Sequence, residues 1–270
     1  MLIEMCERKN PIRRQQAFTL VELLIVLAII ALLVAILAPM LSKARREAKA
    51  LSCKSTLKQL GLFVLLYAND NGGAMPSASN KWPDALRANY KSKNLNCCPM
   101  ATRPLDQGGR HPFAAFAVPP GGGSRLRLRP LPPPVPVETI YYSYGINGWV
   151  CNPPSGTPNP FDFPTANNWK TSNVTNANNV PLLLDSMWID SYPDTSNIPP
   201  AFDGDFHGAL LANSQIGMFC INRHDGFVNG AFLDFSAREI GLKELWKLKW
   251  HRNSDLSAPT PDWPDWMKRF

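Results

Sequence analysis

Most of the signatures that announce chemistry are missing from these 270 residues. There is no G-x-S-x-G element to lift a serine nucleophile onto a sharp turn, and no glycine-rich loop of the phosphate-binding kind. Histidine is scarce, at four residues, and no two stand at the i, i+4 spacing of a zinc-protease helix. No two cysteines form a C-x-x-C pair, and the adjacent Cys97-Cys98 is poor geometry for a zinc knuckle. The acidic spacing of an EF-hand is absent as well. An enzyme is therefore not expected, and no cofactor is expected either. Charge is also thin, at 18% of residues with a net +7. Much of the basic excess flanks an apolar run instead of forming a basic face with interleaved aromatics, so nucleic acid is not an expected partner. The hydrophobic content of 45% excludes disorder throughout. The eight tryptophans suit buried core and interfaces better than a sugar-binding face.

What is present is concentrated at the start. Phe18 to Ala38 carries a single charge, Glu22, in a run of Leu, Ile, Val and Ala. At about 1.5 Å per residue such a helix spans a hydrocarbon core of about 30 Å. Arg8, Lys9, Arg13 and Arg14 precede it, which by the positive-inside rule keeps that end in the cytoplasm and sends the rest outward. A secretory signal would have a shorter apolar core and a small-residue cleavage site after it, where this chain has Leu37-Ala38-Pro39. A plain signal anchor leaves Glu22 unexplained, because a carboxylate in hydrocarbon costs a few kcal/mol and marks a functional position. Mere snorkelling of Glu22 to the interface is the bland alternative.

The segment Arg13-Arg14-Gln15-Gln16-Ala17-Phe18-Thr19-Leu20-Val21-Glu22 resembles the processing site of type IV pilins and type II secretion pseudopilins. The resemblance implies cleavage between Ala17 and Phe18 by a prepilin peptidase, with N-methylation of Phe18 by the same enzyme. Ala17 departs from the commoner Gly. The resemblance also places Pro39 where many pilins carry a helix-kinking proline. Glu22 then acquires a role: in a staggered fibre it pairs with the Phe18 amine of a neighbouring subunit, which specifies register more than it adds stability.

Beyond the span the helix is expected to continue to Asn69, kinked at Pro39, with Cys53, Leu57, Leu60, Val64 and Tyr67 forming an apolar stripe. Asn69-Asp70-Asn71-Gly72-Gly73 should end it in a left-handed cap. The expected organisation is a leader over 1–17, a transmembrane helix over 18–40, its continuation over 41–70, an exported domain over 71–250 and a mobile tail over 251–270. A Pro/Gly-rich insertion over 103–137 reads as a flexible excursion. Trp82-Pro83-Asp84-Ala85-Leu86 opens a short helix. Strands are expected at 141–147, 180–185, 217–221 and 230–235, the last two joined as a hairpin across Asn222-Arg223-His224-Asp225-Gly226. Residues 152–179 read as loop and 242–248 as a short helix.

Of six cysteines, Cys6 falls in the leader, leaving an odd five. Connectivity is not fixed by sequence, but Cys98 tied back to Cys53 is the natural disulfide because Cys53 lies on the core-facing stripe. His224 and Asp234, with nine residues between them, resemble the H-x9-D-G element of prepilin-like proteins abundant in the Planctomycetes–Verrucomicrobia–Lentisphaerae bacteria, with Phe235 in place of the Gly. No metal site is expected from spacing; calcium at the acidic loop Asp203-Gly204-Asp205 is the weaker alternative.

These readings converge on an α+β, pilin-like fold: a long N-terminal helix, transmembrane then amphipathic, packed on a small antiparallel sheet with long loops. The expected function is a structural subunit of a type II secretion pseudopilus or type IV pilus-like fibre. Its expected partners are prepilin peptidase, other pilin or pseudopilin subunits, an inner-membrane assembly platform and membrane lipid. The expected location is the inner membrane, single-pass, N-terminus cytoplasmic. The rival is a membrane-anchored extracellular binding module, for glycan or another surface partner, exported with a prepilin leader.

Overall fold

A computed structural model describes residues 19–87, 95–118, 140–157 and 161–270. The expected cleavage pair Ala17–Phe18 and the stretch 119–137 lie outside the described residues. The chain divides into two compact units, residues up to Arg45 and Arg46–Phe270.

Helix α1 runs from Leu20 to Asp70, passing through Pro39 without ending. In the first unit every large apolar side chain from Leu20 to Leu41 is exposed, on all sides of the helix. No face of this segment is polar, so it has the surface of a helix solvated by lipid, and it is long and apolar enough to cross a membrane.

In the second unit the same helix changes character. Ala50, Cys53, Leu57, Leu60, Val64 and Ala68 are buried on one stripe, while Leu51, Leu62 and Leu66 face outward. The helix ends as its sequence demands. Gly72 adopts φ +63, and the Gly73 N–H reaches back to the Ala68 carbonyl at 2.7 Å, the long bond of a Schellman-type cap.

The stripe packs on a five-stranded sheet. In chain order the strands of the domain are β1 (Arg103–Pro104), β2 (Ala114–Val118), β3 (Ile140–Tyr142), β4 (Tyr144–Asn147), β5 (Pro181–Asp185), β6 (Asp190–Ser191), β7 (Phe227–Phe232) and β8 (Ala237–Gly241). The larger sheet has the order β6-β4-β5-β7-β8, antiparallel except for the β4/β6 pair. Its central strand β5 is buried at all five positions, which explains an apolar run without alternation, closed by Asp185. Gly61 of α1 faces Ala231 of β7, two small residues that let helix and sheet approach closely. A three-stranded sheet of order β1-β2-β3 lies beside it in the chain, with β1 and β2 parallel. The expected single antiparallel sheet is thus two small mixed sheets, and the run 141–147 is divided between them at Ser143.

Several expectations are corrected. Residues 217–221 are not a strand: Gln215–Met218 form a 3-10 turn, held because the Gln215 amide donates to the Ala209 and Leu211 carbonyls. The apolar residues Phe219, Cys220 and Ile221 still enter the core, because burial and not sheet pairing is what such a run requires. The hairpin is formed by β7 and β8 across Leu233–Ser236, one element later than expected. Residues 103–118 are not a simple excursion, since Ala114, Ala115 and Phe116 of β2 are buried. Nor is the tail loose. Met267 on the short helix α4 (Asp265–Lys268) is buried, and the Trp263 ring meets Trp246 edge-on at 5.2 Å. The short helix α2 (Trp82–Leu86) and the loop over 152–179 appear as the sequence indicates, the loop's described residues broken only by short turns and one bridge to Ala74.

Two measurements check this packing. Leu57→Ala should cost about 2–5 kcal/mol in denaturant unfolding of the detergent-solubilised chain, against less than about 0.5 kcal/mol for the outward Leu51→Ala. Asp190, which accepts a hydrogen bond from Ser79, has its carboxyl pushed up to about 6 by burial. The folded state then holds a proton that the unfolded state has released, so stability should fall as pH rises from about 4 to 6. Asp190→Asn should flatten that fall, a difference of about 3 kcal/mol at pH 7.

Candidate functional site

The head of α1 is built by its own residues. The Thr19 N–H and hydroxyl both donate to Glu22 Oε2 at 2.8 Å, and the Glu22 N–H returns a bond to Thr19 Oγ1 at 3.2 Å. This is a capping box: two backbone donors that the first helical turn leaves without partners are met reciprocally by two side chains. Glu22 in the isolated chain therefore caps the helix. The signal was present in the sequence, a threonine three residues before a glutamate at the start of an apolar run, and the reading by charge alone passed over it.

The second constellation is internal. Asp185, at the end of β5, is fully buried. Its Oδ1 receives Arg223 Nη1 at 3.0 Å, and its Oδ2 lies 3.0 Å from His224 Nε2 and accepts the Asn229 N–H at 2.9 Å. The adjacent Arg223 and His224 thus take one carboxylate oxygen each. Arg223 is also fully buried and satisfies all five of its donors, bonding Asp185, the Ser143 and Ser186 carbonyls and, from two nitrogens, the Pro112 carbonyl. The thiol of Cys53 lies 3.4 Å from both Asp185 oxygens, and Cys98 Sγ lies 3.4 Å from His224 Nε2. One atom from each of Cys53, Cys98, Asp185 and His224 falls within 4.8 Å of all the others, and all four residues are buried.

Electrostatics follow from this crowding. Burial alone would push the Asp185 carboxyl up, but the His224 hydrogen bond and the Arg223 charge hold it down at about 2. Burial opposes charge on His224 too, yet its bonds to Asp185 and Cys98 carry it to about 9. Burial pushes the Cys53 thiol well up. Cys98 is also opposed by burial, but the Cys53 and His224 contacts and the Arg223 charge draw it down to about 7.

The residues singled out from sequence distribute as follows. Cys53 and Cys98 do meet, but as free thiols and not as the expected disulfide. His224 joins them, whereas Asp234 sits in the exposed β7–β8 turn, accepting from the Ser236 N–H at 2.9 Å and hydroxyl at 2.6 Å. Phe235, where the resembled element has glycine, holds the left-handed φ of +62. That backbone is one glycine adopts without strain. Asp203 accepts the Asn222 N–H, and Asp205 caps the short helix α3 (Phe206–Ala209) through the Gly208 N–H, both at 2.9 Å. Sequence reasoning missed Asp185 and Arg223 as site residues. The available signal was a carboxylate closing an otherwise apolar strand, next to an Arg-His pair in a turn.

Residues 12–38 match the family model described as the prokaryotic N-terminal methylation motif. No curated protein and no solved structure matches the chain. The motif and the apolar helix behind it support an exported, pilin-like protein, anchored by a single pass.

The internal site has a direct check. Arg223→Met leaves Asp185 buried with less compensation and should destabilise the domain by about 3 kcal/mol or more in denaturant unfolding. Adding Asp185→Leu should return part of that loss, because the uncompensated charge is then gone.

Proposed function

We propose that the chain is a structural subunit of a type II secretion pseudopilus or type IV pilus-like fibre. Prepilin peptidase cuts between Ala17 and Phe18 at the cytoplasmic face and methylates the Phe18 amine. The subunit waits in the inner membrane with its domain on the far side, and an assembly platform draws it into the fibre against other pilin or pseudopilin subunits. The observation that carries this reading is the methylation motif at residues 12–38, seated at the head of a helix whose apolar side chains are exposed all round.

Such a surface needs a solvent of its own kind. Lipid supplies it before assembly, and neighbouring helices supply it afterwards. Glu22 bridges the two states. Alone, its carboxylate satisfies the first turn of its own helix; in the fibre it exchanges part of that bonding for the Phe18 amine of the adjacent subunit. A charge pair enclosed among apolar helices fixes one stagger among the many that a featureless apolar surface would permit.

The experiment has two arms. Intact-mass analysis of the chain expressed with a prepilin peptidase should give a mature protein beginning at methylated Phe18, and any other start defeats the processing step. Fibre incorporation then separates the two roles of Glu22. Glu22→Gln retains a capping side chain but loses the charge. If pairing with the amine sets register, Glu22→Gln should incorporate about tenfold less than the parent. Incorporation at the parental level would reduce Glu22 to a cap.

A further inference from the structure

We infer that Cys53, Cys98, Asp185 and His224 form a binding site for one divalent transition-metal ion of the zinc class. The four side chains come from four separate places: α1, the loop before β1, the end of β5, and the turn between Ile221 and β7. Their donor atoms nevertheless crowd into one spot. A tetrahedral ion bound at about 2.3 Å from sulfur and 2.0–2.1 Å from nitrogen and oxygen sets its ligand atoms roughly 3.3–3.8 Å apart. The separations found are 3.4 Å for Cys53 to Asp185, 3.4 Å for Cys98 to His224 and 3.0 Å for His224 to Asp185. These three lie within a few tenths of an ångström of the tetrahedral spacing, and with every pair inside 4.8 Å the cluster closes on an ion by side-chain shifts of about 1 Å or less.

The arrangement argues against the two other uses of such residues. In a Cys-His-Asp relay the acid holds one ring nitrogen and the thiol faces the other. Here both Asp185 and Cys98 lie against Nε2, while the buried Nδ1 has no hydrogen-bond partner among the described residues. Three groups converging on one point describe a coordination sphere and not a proton relay. No substrate reaches them, since all four side chains are enclosed. A Cys53–Cys98 disulfide is not formed either: both thiols are free, Cys53 lying against the Asp185 carboxylate and Cys98 against the His224 ring.

The groups around the two sulfurs and the carboxylate fit a ligated state. The Tyr144 hydroxyl donates to Cys53 Sγ at 3.5 Å and the Met100 N–H to Cys98 Sγ at 3.4 Å, so each sulfur has a donor aimed at it that would stabilise a thiolate. The Asn229 N–H and Arg223 hold the carboxylate in orientation. Charge closes as well: two thiolates, one carboxylate, a divalent ion and the Arg223 guanidinium sum to zero in a buried site. Thiolate and imidazole ligands select zinc or a similar borderline-soft ion over calcium or magnesium, which take oxygen. The ion would staple the helix to the sheet and to two loops, adding its binding free energy to folding.

The test uses the full-length chain in detergent. Titration with Co²⁺ as the probe should give saturation at one equivalent, with the tetrahedral visible bands and the thiolate charge-transfer band, and Zn²⁺ should bleach both. Zn²⁺ should also raise the melting temperature by several degrees, a gain that chelator reverses. Cys98→Ser and His224→Gln should each lower Zn²⁺ affinity at least tenfold, while Cys97→Ser and Cys151→Ser leave it unchanged. Absence of a thiolate band in the parent chain, a Cys53–Cys98 bridge mapped by mass spectrometry of the native protein, or cobalt binding that survives both ligand variants would each overturn the assignment. The parent titration decides the matter even if a ligand variant does not fold.

Discussion

A carboxylate carried into an apolar core stays there only if its lone pairs are met, and the cost of leaving one unmet is several kcal/mol. Asp185 imposes that condition on most of the domain. Meeting it requires β5 to end where the Asn229 N–H of β7 points at it, and requires the 222–226 turn to deliver Arg223 and His224 to opposite oxygens. Arg223 brings its own demand. Its remaining donors fix the carbonyls of Pro112, Ser143 and Ser186, so the loop before β2, the junction between the two sheets and the end of β5 are all tied to one side chain. Cys53 extends the same network to α1. A domain with long loops and small sheets thereby gains a common centre, specified by hydrogen-bond geometry where apolar packing alone would permit alternatives.

The helix could be read from sequence because its physics is local. Periodicity located Cys53, Leu57, Leu60 and Val64 on the buried stripe, and an Asn-Gly-Gly sequence announced a left-handed stop that Gly72 provides. The strands β4, β5 and β7 were legible to within a few residues for the same reason. The run 217–221 was misread because apolar content without a period reports burial and not conformation. The Gln215 side chain decides that conformation by bonding backbone carbonyls in and just after α3, which no window along the chain can reveal. The packed tail is a similar case: Met267 and Trp263 lie in a Pro-rich stretch whose composition suggests looseness, and their contacts are with residues distant in sequence.

The internal cluster was only half visible. Cys53 and Cys98 were placed together because Cys53 lay on the core-facing stripe, and both do reach one spot. Nothing in their spacing to Asp185 and His224 could have completed the set. Local ligand motifs exist because two ligands share one helix or one knuckle; four ligands on four elements leave no motif. His224 and Asp234, coupled in sequence by a fixed interval, prove to serve different ends of the same hairpin entry. One belongs to the buried centre and the other holds an exposed turn closed through Ser236. The interval is the length of β7 with its flanking turns.

Thiol chemistry sharpens the contrast between the centre and its surroundings. The five cysteines of the described residues are unbridged. Burial pushes the thiols of Cys151 and Cys220 upward and carries Cys97 to about 11, so these three are poor thiolates and poor nucleophiles. Cys98 alone is drawn the other way, and what draws it is the Cys53 thiol, His224 and the guanidinium that also holds Asp185. A thiol made acidic in an enclosed place gains no access to oxidants or substrates from that acidity. What it gains is readiness to bear negative charge toward an inner partner. The same burial that encloses the centre lets it tie α1, the end of β5 and two loops to one another.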